Sequence, residues 1–157
     1  MTRGEFIENV ERSQKSLRRF LVSVCSGDGD LADDIAQETY LKAYLALDNF
    51  QDKGSFNSWI LKIGYNTFLN QVRARRINIP IEEAEEQAGD ENSDEKFRYE
   101  NLYQALESLS ARERSAITLF YLEGYSSKEI ADILEISDEA VRQGLSRGRK
   151  KLKYMLK

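Results

Sequence analysis

The chain has 157 residues, a formal net charge of −4, 32% charged and 41% hydrophobic residues, and a single proline. This composition is typical of helix-rich folded protein and allows one domain or two small ones. The longest apolar run, FLVSV at 20–24, is far shorter than the roughly 18 residues of a membrane span, and the N-terminus lacks the apolar segment of a signal peptide. The single cysteine, Cys25, excludes an internal disulfide, and the absence of histidine excludes most zinc sites and every catalytic triad that needs one. We therefore expect a cytoplasmic protein that is not an enzyme, binds no metal or cofactor and inserts into no membrane.

Helical periodicity dominates the chain, and no segment of four or more residues alternates convincingly as a strand would. The predicted helices cover 4–25, 30–47, 55–76, 96–108, 111–122, 127–134 and 138–155. Residues that start or end helices flank these segments. They are Asp28 or Asp30 before the second helix, Ser55 before the third, Ser110 with Glu113, Ser126 with Glu129, and Gly124 after the fifth.

A strongly acidic stretch divides the chain. Residues 80–95 carry eight carboxylates and no cation, so the rest of the chain sums to −4 + 8 = +4. Such a segment buries too little apolar surface to offset the entropy of ordering it. We predict an all-α fold of two small helical domains, 1–78 and 97–157, joined by a flexible acidic linker at 79–96. The linker is either a solvated spacer or a functional acidic tether.

In chain order, the first polar pattern lies on the second predicted helix. Asp34, Gln37, Glu38 and Leu41 follow the spacing i, i+3, i+4 and i+7, and so share one face. From the residues alone, this stripe is either a solvated face or a surface that docks a partner helix.

The third predicted helix mixes aromatic, amide and cationic residues on one face. Bases can stack on aromatic rings while cations hold the backbone, so this mixture suits single-stranded DNA. Core packing is the alternative for Trp59 and for Phe56 near the edge of the face. The candidate contacts are Trp59, Lys62, Asn66, Asn70 and Arg73, extended by Arg75 and Arg76.

Residues 126–152 follow a helix-turn-helix pattern, with Ile130, Ala131, Leu134, Ile136, Val141 and Leu145 facing inward. Arginine and glutamine match base edges in the major groove, whereas further cations suit phosphates. From Arg142 to Lys157 there are seven Lys or Arg and no carboxylate. Glu135 stands in the turn where glycine is frequent, and Gly144 costs about 1 kcal/mol of helix propensity. The candidate DNA contacts are Ser137, Glu139, Arg142, Gln143, Ser146, Arg147, Arg149 and Lys150.

Two blocks of the sequence resemble a known family. Residues 27–76 (GDGDLADDIAQETYLKAYLALDNF and onward) resemble the second conserved region of bacterial sigma-70 family RNA polymerase sigma factors. Residues 105–152 (ALESLSARERSAITLFYLEGYSSKEIADILEISDEAVRQGLSRGRKKL) resemble the fourth region. Because no middle domain is recognisable, the chain looks like a member of the extracytoplasmic-function (ECF) subfamily.

This resemblance implies a role for each pattern. Asp34, Gln37 and Glu38, with Leu41, would bind the β′ coiled coil of core RNA polymerase, and residues 53–76 would recognise and melt the minus-ten promoter element. The final helix pair would bind the minus-thirty-five element, and the linker would thread toward the polymerase active centre. The implied partners are core polymerase (β′ coiled coil and β flap), promoter DNA and an anti-sigma factor, for a stress or cell-envelope regulon. Two alternatives remain: a sigma-like mimic that sequesters an anti-sigma factor, and a helix-turn-helix regulator of duplex DNA.

Overall fold

The computed structural model of the chain describes residues 1–50, 55–78 and 94–155, with side chains for 1–50, 55–74 and 101–155. Within those ranges the chain is helical and contains no strand, so the predicted all-α class is confirmed. The elements are α1 (Arg3–Val24), α2 (Gly29–Leu45), a 3₁₀ turn (Leu47–Asn49), α3 (Phe56–Asn78), α4 (Asp94–Glu107), α5 (Ala111–Ile117), a π-helical segment (Thr118–Leu122, the π segment), α6 (Ser127–Leu134) and α7 (Asp138–Met155). Most of the predicted linker, at 79–93, lies outside the described residues.

The predicted helix starts are confirmed by side-chain caps. Asp28 Oδ1 accepts a hydrogen bond from the Leu31 N–H at 3.1 Å, so Asp28 rather than Asp30 caps α2. Ser55 Oγ accepts one from the Ser58 N–H at 3.0 Å at the start of α3. Both predicted capping boxes, Ser110 with Glu113 and Ser126 with Glu129, are formed. The predicted left-handed backbone at Gly124 has φ +75°.

The predicted helix at 111–122 is not a uniform α-helix. From Thr118 the backbone widens into the π segment, and the Glu123 N–H donates to the Thr118 carbonyl at 3.2 Å. The Thr118 hydroxyl donates its proton to the Arg114 carbonyl at 2.8 Å and lies 2.7 Å from the buried Ser23 hydroxyl of α1. Because a hydroxyl carries a single proton, Ser23 is the donor in the second contact. The wider turn therefore coincides with a contact between the π segment and α1.

The three N-terminal helices pack against one another around an apolar core. Leu17, Phe20 and Leu21 of α1 are fully buried, together with Ile35 of α2 and Ile60 of α3. α1 and α3 also approach closely at Gly64, where an added Cβ would lie 2.9 Å from Leu17 Cδ1. This bundle fixes which faces of α2 and α3 point outward.

The C-terminal helices form the predicted helix-turn-helix, with α5 packed across α7. Ile130, Leu134, Val141 and Leu145 are buried as predicted, whereas Ala131 and Ile136 are half-buried. Ile133 is also fully buried, although the sequence pattern did not single it out. These contacts fix the orientation of α7 and hence the side chains that it exposes.

The two halves of the chain are packed together rather than separate. α3 packs on α6 and α1 on α5, and their buried apolar side chains form one continuous cluster. Polar contacts cross the same junction: Arg19 donates to both carboxylate oxygens of Glu123 at 3.0 Å, and Asn57 donates to the Tyr125 hydroxyl at 2.5 Å. The relative placement of the halves is therefore set by side chains far apart in sequence.

Two glycines of α7 should respond oppositely to alanine. At Gly148 a Cβ would lie 2.8 Å from Ile117 Cγ1, so Gly148→Ala should lower the free energy of unfolding by about 1–3 kcal/mol. At Gly144 the nearest atom would be Ala116 Cβ at 3.9 Å, so Gly144→Ala should raise it by about 0.5–1 kcal/mol. Urea unfolding measures both changes. A Gly148→Ala chain as stable as the parent would contradict the close packing of α5 on α7.

Candidate DNA and polymerase interfaces

The position of α7 is determined at its start and on its inner face. Ser137 Oγ accepts a hydrogen bond from the Ala140 N–H at 3.0 Å, which caps the helix. Val141 and Leu145 are buried against the rest of the C-terminal half. The opposite face is consequently directed to solvent. Of the predicted DNA contacts, Ser137, Glu139, Arg142, Gln143, Arg147, Arg149 and Lys150 are exposed and Ser146 is half-buried.

Arg142 is held by a carboxylate of its own helix. Its Nε donates to Asp138 Oδ2 at 2.9 Å, and its Nη2 donates to the same oxygen. The hydrogen bond from Arg142 lowers the pKa of Asp138 and, reciprocally, raises the pKa of Arg142. The guanidinium is thus charged and lies beside the N-terminus of α7, where it remains largely exposed.

The cations of α7 lie on two different sides of the helix. Gln143 and Arg147 line a shallow depression together with Arg112 of α5. Arg149 instead donates to the Tyr121 hydroxyl at 3.2 Å and lines an apolar cavity on another side. Lys151 donates to Glu113 Oε1 at 2.7 Å. The predicted contacts Gln143 and Arg147 therefore lie on one surface, whereas Arg149 lies on another.

Glu113 is a buried carboxylate that ties α5 to α7. Burial alone would raise its pKa, but the hydrogen bonds from Lys151 and Ser110 outweigh that effect, so the pKa is lowered overall. The same carboxylate closes the capping box at the start of α5. Glu113 thus stabilises the packing that presents Gln143 and Arg147, although the sequence pattern indicated only its capping role.

One face of α3 carries five predicted DNA contacts, and some of them also make contacts within the chain. This α3 face consists of Trp59, Lys62, Asn66, Asn70 and Arg73. Asn70 and Arg73 are exposed. Trp59 is half-buried, with its ring centroid 5.1 Å from that of Phe50 and 5.7 Å from that of Phe56. The side chains of Arg75 and Arg76 lie outside the described residues.

Two members of the α3 face contact α6 of the other half. Lys62 Nζ lies 3.9 Å from Asp132 Oδ1 and 3.8 Å from Glu135 Oε1. Asn66 Nδ2 donates to Glu135 Oε1 at 3.5 Å. Lys62 and Asn66, both predicted to contact DNA, are therefore paired with carboxylates in this arrangement of the chain.

The predicted docking stripe, defined as Asp34, Gln37, Glu38 and Leu41, lies on the outer side of α2. Its members are exposed except Glu38, which is half-buried. Gln71 of α3 donates to Glu38 Oε2 at 2.6 Å, and this bond lowers the pKa of Glu38, as does Lys42 at 3.4 Å from Oε1. Glu38 is thus ionised and held in place by α3.

Leu45 extends the docking stripe but was missed in the sequence analysis. It lies one turn after Leu41, and the two side chains are 77% and 59% exposed. Leu45 could have been predicted from the sequence, because it continues the i, i+4 spacing beyond Leu41. Two adjacent exposed leucines on a helix surface are typical of a protein contact.

Another exposed apolar surface borders a cavity of about 320 Å³ that is lined by the C-terminal half and by Ser23 of α1. The π segment exposes Phe120, Tyr121 and Leu122, and α4 exposes Leu102. Arg149 lies at the cavity wall. The surface is thus apolar with a cationic group beside it, and the sequence pattern did not single it out.

Comparison with known proteins identifies the family. The sigma-70 region 2 family model matches residues 10–77, and the sigma-70 region 4 model matches residues 99–152. The ECF RNA polymerase sigma factor EcfG of Rhodopseudomonas palustris (strain TIE-1) is 30% identical over 152 residues, which span 95% of this chain and 83% of the relative.

Solved structures agree over almost the whole chain. The sigma factor RpoE in complex with the anti-sigma factor NepR from Bartonella quintana matches with a TM-score of 0.81 and 26% identity, over 97% of this chain and 96% of that one. CnrH in complex with the cytosolic domain of CnrY matches with a TM-score of 0.75 and 25% identity, over 99% and 89% of the two chains.

The fold and these matches define the protein class as sigma factors of bacterial RNA polymerase, which are transcription initiation factors. The chain belongs to the sigma-70 family and, within it, to the ECF sigma factors. Within the described ranges, no helix is both long and apolar enough to cross a membrane, and no group of three metal-ligating side chains converges.

The lowered pKa of Glu113 predicts a specific acid sensitivity. A carboxyl whose pKa is lower in the folded state stabilises the fold at pH values above its unfolded pKa of about 4.3. That stability is lost as the pH falls through the folded pKa. Glu113→Gln should therefore be less stable than the parent at neutral pH and should lose less stability on acidification. Urea unfolding over a pH series measures this, with exposed Glu107→Gln as the matched control. Parallel pH profiles for the parent and Glu113→Gln would contradict the assignment.

Proposed function

We propose that the two halves of the sigma factor bind different parts of a promoter, while α2 binds core polymerase. The observation that carries this proposal is the orientation of α7, which is anchored by buried Val141 and Leu145 and exposes Arg142, Gln143 and Arg147. A helix with that surface fits the major groove of the minus-thirty-five duplex. Ser137, Glu139 and Ser146 lie on or beside the same helix, and Arg149 and Lys150 add phosphate contacts.

We assign the α3 face to the minus-ten element as single-stranded DNA. Asn66, Asn70 and Arg73 are exposed, and movement of α6 would release Lys62 and Asn66 from Glu135. Amide groups can contact the edges of unstacked bases while cations hold the phosphates. Trp59 contributes the exposed part of its ring and is supported from behind by Phe50 and Phe56. Arg75 and Arg76 continue this segment toward duplex phosphates.

We assign the docking stripe and Leu45 to the β′ coiled coil of core polymerase. Apolar side chains at the centre of such a contact contribute most of the binding energy, and charged side chains around them set the orientation. Leu41 and Leu45 supply the apolar part. Asp34, Gln37 and the ionised Glu38 supply the polar part.

We assign the apolar surface around the C-terminal cavity to protein partners. Leu102, Tyr121 and Leu122 offer side chains that an amphipathic helix could cover, with Arg149 beside them to pair with a carboxylate. The β flap of polymerase and an anti-sigma factor are the proposed occupants. A related sigma factor, RpoE of Bartonella quintana, was solved in complex with the anti-sigma factor NepR, which supports the second occupant.

We also propose that the functional units are residues 1–78 and 97–157, with 79–96 as the linker between them. A factor that works by binding polymerase and promoter DNA catalyses no reaction of its own. Its place of action is the cytoplasm, where both partners are found.

Asn66→Ala and Arg142→Ala should each lower promoter-dependent transcription about fivefold or more, since a base contact is worth about 1–3 kcal/mol. Neither side chain lies on the docking stripe, so affinity for core polymerase should be unchanged. Run-off transcription and a core-binding titration measure the two effects. Exposed Gln104→Ala and Arg12→Ala are matched amide and cation controls. Parent-level transcription from either DNA-face variant would refute its assigned contact.

Leu41→Ala combined with Leu45→Ala should weaken binding to core polymerase about tenfold or more, because each leucine anchor contributes at least about 1 kcal/mol. Ile7→Ala, another exposed apolar side chain of the N-terminal half, is the control and should leave the affinity unchanged. Fluorescence titration of labelled chain with core polymerase gives the dissociation constants. Equal constants for all three proteins would exclude the two leucines from the interface.

A further inference from the structure

Glu135 has an unusual backbone conformation for its residue type. It ends α6 with φ 58° and ψ 44°, in the left-handed region. Glycine adopts this conformation without strain, and a residue with a Cβ does not. Glutamate is also atypical at this turn, where glycine is frequent. Strained backbone of this kind persists where the surrounding structure enforces it, and it clusters at functional sites.

The side chain of Glu135 reaches the α3 face. Its Oε1 lies 3.8 Å from Lys62 Nζ and accepts a hydrogen bond from Asn66 Nδ2 at 3.5 Å. Asp132, one turn earlier on α6, places Oδ1 3.9 Å from the same ammonium group. Two carboxylates from one helix therefore meet the cation and the amide that are assigned above to DNA.

Carboxylate oxygens can replace phosphate oxygens as partners of a lysine, because both are anionic acceptors. We propose that Asp132 and Glu135 act as an intramolecular DNA mimic, which keeps Lys62 and Asn66 occupied until promoter DNA displaces α6. The proposal rests on the proposed function of the α3 face. It goes beyond that function by assigning an autoinhibitory role to two acidic residues of the helix-turn-helix.

The ion pairs of Lys62 with Asp132 and Glu135 are weak enough to break reversibly. The side chains of Lys62, Asp132 and Glu135 are 34%, 77% and 55% exposed, so water and salt weaken each pair. A polyanionic strand can therefore compete for the same cation. The contact that positions the start of α6 is stronger, because Arg19 binds both oxygens of a Glu123 side chain that is 4% exposed.

The test uses the full chain without polymerase and a fluorescein-labelled thymidine oligonucleotide as single-stranded DNA. Asp132→Asn combined with Glu135→Gly removes both carboxylates and leaves a residue suited to the left-handed backbone, so folding is not put at risk. Asp132→Asn combined with Glu135→Gln removes the charges without changing backbone strain. Glu8→Gln combined with Glu11→Gln, on the exposed side of α1, removes the same charge elsewhere.

Both α6 variants should bind the oligonucleotide about threefold to tenfold more tightly than the parent at low salt, the range expected for losing a few exposed pairs. The α1 variant should gain less than about twofold by general electrostatics. Adding Lys62→Ala should cost more affinity in the α6 variants than in the parent, because the parent lysine is already occupied. α6 variants that gain no more than the α1 variant would overturn the mimic.

A distance measurement separates failure of the mimic from failure of the proposed function. Nitroxide labels at Asn49→Cys and Lys153→Cys, in a Cys25→Ala background, report the separation of the two halves. Longer distances in the α6 variants without any gain in DNA affinity would refute the DNA role of the α3 face, and with it the mimicry. Tighter DNA binding at unchanged distances would support the mimic, with the carboxylates displaced locally. Unchanged distances with unchanged affinity would refute the mimic alone.

Discussion

The carboxylate of Glu123 is the contact on which the arrangement of this sigma factor depends. It accepts two hydrogen bonds from Arg19 and one from Ser16 at 3.3 Å, although its side chain is only 4% exposed. A buried charge is costly unless it is paired, so loss of Arg19 would leave Glu123 as an uncompensated buried carboxylate. Because Glu123 directly follows the π segment, pairing it with α1 also sets where α6 begins. The placement of α6 over α3 follows from that anchor.

The local structure of the chain could be predicted because its signals are local. Helix caps such as Asp28 and Ser126 act over three residues, and the inward positions Ile130 and Val141 follow from helical periodicity. Family resemblance then supplied the class of protein, which the matches to regions 2 and 4 confirm.

The remaining features depend on contacts between residues far apart in sequence. The π segment coincides with the hydrogen bond between Ser23 and Thr118, and the occupied state of Lys62 depends on Asp132. Periodicity placed Trp59 on a polar face, but Phe50 and Phe56 half-bury it. No pattern within a single helix indicates which helix packs on it, so these features could not be found in the sequence alone.

The two surfaces that we propose to bind DNA differ in how far other parts of the chain engage them. α7 exposes Gln143 and Arg147, and no element of the described ranges covers them, whereas part of the α3 face is paired with α6. In this arrangement the helix proposed to bind duplex DNA is accessible, whereas the face proposed to bind single-stranded DNA is partly engaged by α6. This difference would favour recruitment to a promoter before melting. Binding of α7 would bring promoter DNA close to the α3 face, where it can displace α6.

Run-off transcription by core polymerase supplied with this chain, on a library of promoter fragments, tests the account most directly. We predict transcripts that start at defined positions, appear only when the chain is present, and share two sequence elements upstream of the start. Tight binding of duplex DNA by the chain alone, with no specific transcripts in the presence of polymerase, would contradict the account.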